Sequence, residues 1–278
     1  MKRNILITGC SSGIGYCVAH ALHRKGYRVF ATARRQESVD DLLNEGLESL
    51  QLDLTDSNSI QIAFEEIMQR TDGSLYALFN NGAFGLTGAV EDLNRDALRA
   101  QFETNVFGWQ ELTNLALPVM RRQGFGRIIQ NSSVLGFVAL PFRGAYNASK
   151  YAIEGLSDTL RLELKDTNIH VSLIEPGPIA SQFRANALKA LEKYIDIDNS
   201  FHREKYRGVL KRLTKKGPAV PFTLPPEAVL KRVIHALEAS NPKPRYYVTL
   251  PTYLFGYLKR ILSTRILDIL LAKAGNRN

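Results

Sequence analysis

The chain has 278 residues, 45% hydrophobic and 23% charged, with 11 prolines, two cysteines and a formal charge of +9. That composition excludes disordered, collagenous and disulfide-stapled classes, and the length is ample for a sizeable core, so a small binding module is not expected. Cys10 and Cys17 lie seven residues apart with no Cys-x-x-Cys and no other cysteine, which leaves neither a disulfide framework nor a cysteine zinc site.

Met1-Lys2-Arg3 is basic like the start of a signal peptide, but the apolar run behind it stops after three residues at a turn, so a cytoplasmic location is expected. Residues 4–7, 28–32, 48–52, 75–79, 127–130 and 170–174 are short, branched and strand-like, and all but the last precede a segment of helical period. Successive βαβ units of this kind predict an α/β fold: one Rossmann-like, doubly wound parallel sheet of about seven strands, with helices on both faces. No linker or repeat divides the chain, so one domain is expected over 1–278. Its cofactor and catalytic core spans 1–180, a substrate-facing helical insertion 181–226, and an amphipathic tail 250–278. Between insertion and tail come a Pro-rich turn (Gly217-Pro218, Pro221, Pro225-Pro226), a helix from Glu227 to Glu238 and a strand over 245–249.

Thr8-Gly9-Cys10-Ser11-Ser12-Gly13-Ile14-Gly15 joins the first strand to a helix running to about Lys25. Gly9 permits a tight turn, Gly13 close approach of backbone to a pyrophosphate, and Gly15 close helix packing, while the helix N-terminus offers amides to the anion. Where an NAD enzyme carries an acid at the end of the second strand, this chain reads Ala33-Arg34-Arg35. Two guanidiniums there suit a 2′-phosphate, so NADP(H) is the expected cofactor, with Arg34 as main contact, Arg35 beside it, and Ser11 or Ser12 assisting.

Tyr146-Asn147-Ala148-Ser149-Lys150 lies in a segment whose apolar residues recur at helical spacing, so Tyr146 and Lys150 share a face one turn apart. A phenol is a poor proton donor near neutrality until its anion is favoured, and a neighbouring ammonium favours it. Ser132 and Ser133 follow the fifth strand at the sheet edge where open α/β folds bind ligands, and a hydroxyl there can polarise a substrate carbonyl.

The Thr-Gly-x3-Gly-x-Gly turn with Tyr-x3-Lys resembles the short-chain dehydrogenase/reductase family in its single-domain branch. The resemblance favours Ser133 over Ser132 and assigns Ser133, Tyr146, Lys150 and Asn105 as the catalytic set, the backbone of Asn105 holding a water that links the lysine to solvent. It further implies cofactor contacts from Asp53 and Leu54 at the adenine, from Asn81, and from Pro176-Gly177-Pro178-Ile179 at the nicotinamide; Asp53 could equally cap the helix after Thr55. Asn80-Asn81-Gly82-Ala83 departs from the family's Asn-Asn-Ala-Gly, and Ala83 adds a methyl where the backbone passes the cofactor. Within the family the chain looks most like the 17β-hydroxysteroid and retinol dehydrogenases and their bacterial aldehyde-reductase relatives. The implied reaction is hydride transfer between NADP(H) and a carbonyl, with Tyr146 as acid and Lys150 lowering its pKa.

An apolar run from Val134 to Phe142 passes the carbonyl site, and Leu135, Phe142 and Phe183, with Phe84 and Leu86, are expected to face a hydrophobic aldehyde or ketone. A 3-oxoacyl-carrier-protein reductase is the alternative enzyme, and a non-catalytic NADP(H)-binding regulator the alternative of another class. Residues 184–216 hold ten Lys or Arg against four acids, which fits a solvated helix pair or an acidic partner but lacks the aromatic interleaving of a nucleic-acid surface. From Leu254 on, Tyr257, Leu258, Ile261, Leu262, Ile266, Ile269 and Leu270 repeat at helical spacing opposite Lys259, Arg260 and Asp268; packing or peripheral membrane contact would use such a face. No metal site is expected from the five scattered histidines. Relatives imply a homodimer or homotetramer formed through the helices of Asn105 and Tyr146.

Overall fold

In the computed structural model, which describes residues 3–217 and 220–276, the strands are Asn4–Ile7 (β1), Arg28–Ala33 (β2), Glu48–Gln51 (β3), Ala77–Asn80 (β4), Gly126–Asn131 (β5), Ile169–Glu175 (β6) and Arg245–Tyr247 (β7). Met1, Lys2, Pro218 and the last two residues of the tail lie outside the described residues. The strands form one parallel sheet in the order β3-β2-β1-β4-β5-β6-β7. The order reverses between β1 and β4, so the strand ends there open the crevice in which doubly wound folds bind ligands.

Helices Gly13–Arg24 (α1), Gln36–Asn44 (α2), Ser57–Arg70 (α3), Arg95–Phe102 (α4), Gly108–Gln123 (α5) and Gly144–Glu163 (α6) fill the crossovers of the first six strands. Strand alternation sends side chains to two separate cores. Ile5, Ile7, Val29, Ala31 and Phe79 join α1 and Glu227–Glu238 (α9) on one face, while Leu6, Phe30, Leu78 and Ile128 join α3, α5 and α6 on the other. Both groups are almost fully buried, which is why these strands read as near-continuous apolar runs.

Two predicted strand limits move for identifiable reasons. Leu75 is held outside β4 by the side chain of Gln123, which accepts from its N–H at 3.3 Å and donates to its carbonyl at 2.7 Å. The seventh strand stops at Tyr247 because Thr249 already begins the next helix, accepting from Thr252 N at 3.0 Å.

The insertion forms Phe183–Tyr194 (α7) and Arg203–Thr214 (α8), closed by a small core of Leu191, Ile195, Tyr206 and Leu213. Part of its positive charge has structural work. Arg184 donates to the carbonyls of Arg212 and Lys215 at 3.2 and 2.8 Å and to that of Gly217, tying the start of α7 to the end of α8. The tail is two helices, Leu250–Ile261 (α10) and Thr264–Asn276 (α11), and its apolar residues divide between two environments. Leu258, Leu262, Leu267 and Leu271 pack on the loop of Val134, Val138 and Leu140, whereas Leu254, Tyr257, Ile261, Ile266, Ile269 and Leu270 face outward.

Candidate active site

The glycine turn is built by close approach. Gly9 has φ +70°, and a Cβ on it would stand 2.5 Å from Gly82 Cα; on Gly15 it would stand 2.2 Å from the Gly9 carbonyl oxygen. No L side chain fits either place. Ser12 precedes α1 with extended backbone and gives no side-chain cap, and no acid occupies the first turn of that helix. Its leading amides therefore point into the crevice without a side-chain acceptor.

Asn81 ties three strand ends together at the switch point. Its Nδ2 donates to the carbonyls of Thr8 at 2.9 Å and Gly9 at 3.2 Å, its N–H donates to Thr8 Oγ1 at 2.9 Å, and its Oδ1 accepts from Asn131 at 2.9 Å. The exchanged pair behind it is accommodated: Gly82 lies against Gly9 and Leu54, while Ala83 packs against the core that contains Val106 and Trp109.

Asn105 sits in a π-helical bulge, Glu103–Phe107, between α4 and α5 rather than in regular helix. Such a bulge breaks the regular carbonyl ladder, and bulges of this kind recur at functional sites. The buried Asn105 side chain donates to Phe84 O at 2.9 Å and Ser149 Oγ at 3.1 Å, and accepts from Phe84 N at 3.2 Å. Gly108, just beyond the bulge, lets α5 pass Leu54; a Cβ there would meet the Leu54 carbonyl at 2.1 Å.

Ser133, Tyr146 and Lys150 come together at the ends of β5 and α6, all buried. Lys150 Nζ donates to the Asn131 carbonyl at 2.7 Å and lies 4.2 Å from the Trp109 ring centre and 5.7 Å from that of Tyr146. Burial pushes the Tyr146 phenol up to about 12, against which a hydrogen bond from Ser133 pulls down. Burial pushes the Lys150 amine down to about 7, with the charge of Glu154 pulling it back up. Burial disfavours the charged form of both groups, so it favours the protonated phenol and the neutral amine. The protonated phenol that results is the form that delivers a proton to a carbonyl.

Asp53 does not cap the helix that follows. Its Oδ1 closes a local turn on Thr55 N and Oγ1 at 3.0 and 2.8 Å, and Asp56 caps α3 instead through Asn58 N at 3.0 Å. Arg34 and Arg35 are exposed at the end of β2, and neither guanidinium has a partner among the described residues. Pro176 accepts from Val134 N at 2.9 Å, which joins the segment after β6 to the Ser133 loop. Gly177 lies against Thr249, and Ile179 bridges to Leu224.

Three of the residues expected at the substrate separate. Phe183 stands edge-on to Tyr146 at 5.3 Å between ring centres, seated on Gly85, where a Cβ would stand 2.4 Å from its ring. Phe142 instead turns its ring onto His202 and Tyr206 at 5.7 and 5.2 Å, and Leu135 belongs to the cluster under α10 and α11, so both support neighbouring walls. Sequence reading missed Trp109 and Asn131. Trp109 follows Asn105 by four residues, one helical turn, and donates to Gly82 O at 2.7 Å; Asn131 stands two residues before Ser133.

Oxidoreductases of the Rossmann type are built in this way, and comparison with known proteins agrees. Residues 3–192 match the family model for short chain dehydrogenase, and the chain belongs to that family. It is 41% identical over 271 residues to the uncharacterized oxidoreductase YbbO of Escherichia coli strain K12, covering 98% of this chain and 94% of the relative. It is 35% identical over 260 residues to human 17-beta-hydroxysteroid dehydrogenase type 1, covering 88% and 77%. Among solved structures, a variant of actinorhodin polyketide ketoreductase with NADPH superposes with TM-score 0.73 and 27% identity, over 89% of this chain and 95% of that one. No described helix is long and apolar enough to cross a membrane.

Proposed function

We propose that this protein is a single-domain NADPH-dependent reductase of hydrophobic aldehydes or ketones, retinoid- or steroid-like carbonyls included, with the corresponding alcohols as products. The observation that carries the reading is the burial of Ser133, Tyr146 and Lys150 in one cluster, with the Phe183 ring against the reacting phenol.

The residues present fit a nicotinamide dinucleotide phosphate. Gly9, Ser11, Ser12, Gly13, Ile14 and Gly15 with the uncapped start of α1 suit its diphosphate, Arg34 and Arg35 its 2′-phosphate, and Asp53 with Leu54 its adenine. Asn81 and Pro176 to Ile179 border the nicotinamide side. The cofactor supplies hydride when bound. Ser133 donates to the substrate carbonyl oxygen as charge develops there, Tyr146 gives it a proton, and Lys150 holds ribose hydroxyls and returns the phenol's proton with Asn105 completing the relay. Solved relatives are described with NADPH and with NAD, so the preference for NADP(H) rests on the two arginines.

Two partner assignments accompany this reading. Exposed Phe107, Tyr151, Leu156 and Leu162 around α5 and α6 suit pairing of two or four copies. The outward face of α10 carries Leu250, Tyr253, Leu254, Tyr257 and Ile261, a single stripe at helical spacing, and α11 adds Ile266, Ile269 and Leu270. Residues 250–276 contain Lys259, Arg260, Arg265 and Lys273 against Asp268 alone, so an anionic lipid surface complements them better than a second copy of the same charge.

The deciding assay is NADPH oxidation against long-chain aldehydes, retinal, ketosteroids and acetoacetyl thioesters, with NADH as control. Turnover of the apolar carbonyls with NADPH supports the proposal. Turnover of thioesters alone makes the protein an oxoacyl reductase, and binding of NADPH with no turnover makes it a regulator.

A further inference from the structure

Behind the catalytic lysine lies a second titratable group that the reaction above does not use. Tyr146, Lys150 and Glu154 follow one another at four-residue steps on α6, so they share a face one turn apart, and all three are buried. Glu154 faces Glu175, the last residue of β6, which is fully buried. One guanidinium serves both: Arg245 of β7 lies 3.0 Å from Glu154 and 3.2 Å from Glu175, and spends a third contact of 2.7 Å on Asp158.

Two carboxylates packed together in a dry site with part of one cation cannot both ionise, just as the acid dyads of proteases cannot. Glu175 Oε2 has no hydrogen-bond partner among the described protein atoms, as expected where a proton between the acids supplies the missing donor. Burial and the neighbouring acid hold Glu175 well above the usual carboxylate range, and burial raises Glu154 against the pull of Ser132 and Arg245. The other charged or titratable groups at the cluster are Asp158, paired with Arg161 at 2.7 Å, and Tyr247 of β7, itself near Arg260 of α10.

We infer that Glu154 and Glu175 form one carboxyl pair sharing a proton, and that the pair is a positioning element for Lys150, its single negative charge holding the amine protonated. The inference rests on the catalytic reading of Tyr146 and Lys150. The two acids are not equivalent in it. With Glu154→Gln the remaining charge sits on Glu175, a residue farther from Lys150 in the ladder, and the amine loses its proton more easily. With Glu175→Gln the charge stays on Glu154, one turn from Lys150.

The test is the pH profile of kcat for carbonyl reduction in the full chain. The alkaline limb of Glu154→Gln is expected to move down by about one unit, the size that loss of a nearby opposite charge produces, and that of Glu175→Gln to stay or move up. A merely structural role would weaken both variants without moving either limb, and equal shifts in the same direction would overturn the inference. Infrared difference spectroscopy of the unmodified protein supplies a readout free of activity and of variant folding. A protonated-carboxyl stretch present at neutral pH and absent in Glu175→Gln supports the pair, and no such band in the unmodified protein overturns it. Should the unmodified protein reduce no carbonyl, the reading of Tyr146 and Lys150 fails while the infrared result still decides the pair.

Discussion

Replacing Tyr146 with phenylalanine removes one oxygen and little else. The ring keeps its edge-on contact with Phe183 at 5.3 Å, and Lys150 keeps the Asn131 carbonyl at 2.7 Å, so the walls of the site stay in place. What is lost is the proton that the buried phenol carries across neutral pH. A positioned acid contributes about 10²- to 10⁴-fold, which is about 2.7 to 5.4 kcal/mol of barrier. The folded state loses only the hydrogen bond with Ser133, worth about 1 kcal/mol, so the melting temperature is expected to fall by about 2–4 °C. The assay is single-turnover NADPH oxidation with a saturating apolar aldehyde, alongside NADPH binding by fluorescence. A fall of at least about 10² in rate with unchanged binding is expected. A rate within about three-fold of the unmodified enzyme would refute the role of Tyr146 as acid, since a positioned acid is worth at least about 10²-fold. Ser133→Ala is the less clean probe, because Ser133 Oγ also accepts from Leu135 N at 3.1 Å and its loss disturbs the turn itself.

Exchange of Arg34 and Arg35 for alanine is expected to raise KM for NADPH about 10- to 100-fold, the loss of charge-assisted bonds to a phosphate, with NADH little changed; equal losses with both cofactors would remove the 2′-phosphate assignment. Flotation with vesicles containing phosphatidylglycerol is expected to carry the protein and to weaken with salt, and Tyr257→Glu with Ile261→Glu to abolish it. Because both side chains are exposed, NADPH binding serves as the folding control. Flotation equal with neutral vesicles, or self-association through the tail in sedimentation, would sink the lipid assignment.

Most of the sheet and the core of the candidate site were legible in the sequence because they depend on local order. Strand alternation, the glycine spacing around Gly9 and Gly15, and the four-residue step from Tyr146 to Lys150 are written along the chain. Lys150 and Glu154 were equally readable as neighbours on one helix face. What contact across the fold added was of another kind. Asn131 and Trp109 meet Lys150 only because β5, α5 and α6 converge, and α5 passes Leu54 closely because Gly108 follows the bulge at Asn105.

The same division explains what packing added elsewhere. Helical periodicity marked the tail as apolar on one side, but packing against the Val134 to Leu140 loop divided that side into a buried half and an exposed half. Phe142 and Leu135 looked alike beside Ser133, and only the positions of α8 and α10 drew them to different cores. The sequence by itself determined the parallel sheet and the placing of Tyr146 and Lys150 on one helix face, since periodicity and spacing need no partner. Tertiary structure decided their surroundings, burying Tyr146, Lys150, Glu154 and Glu175 in a place that no local pattern discloses, where burial disfavours the charged form of each.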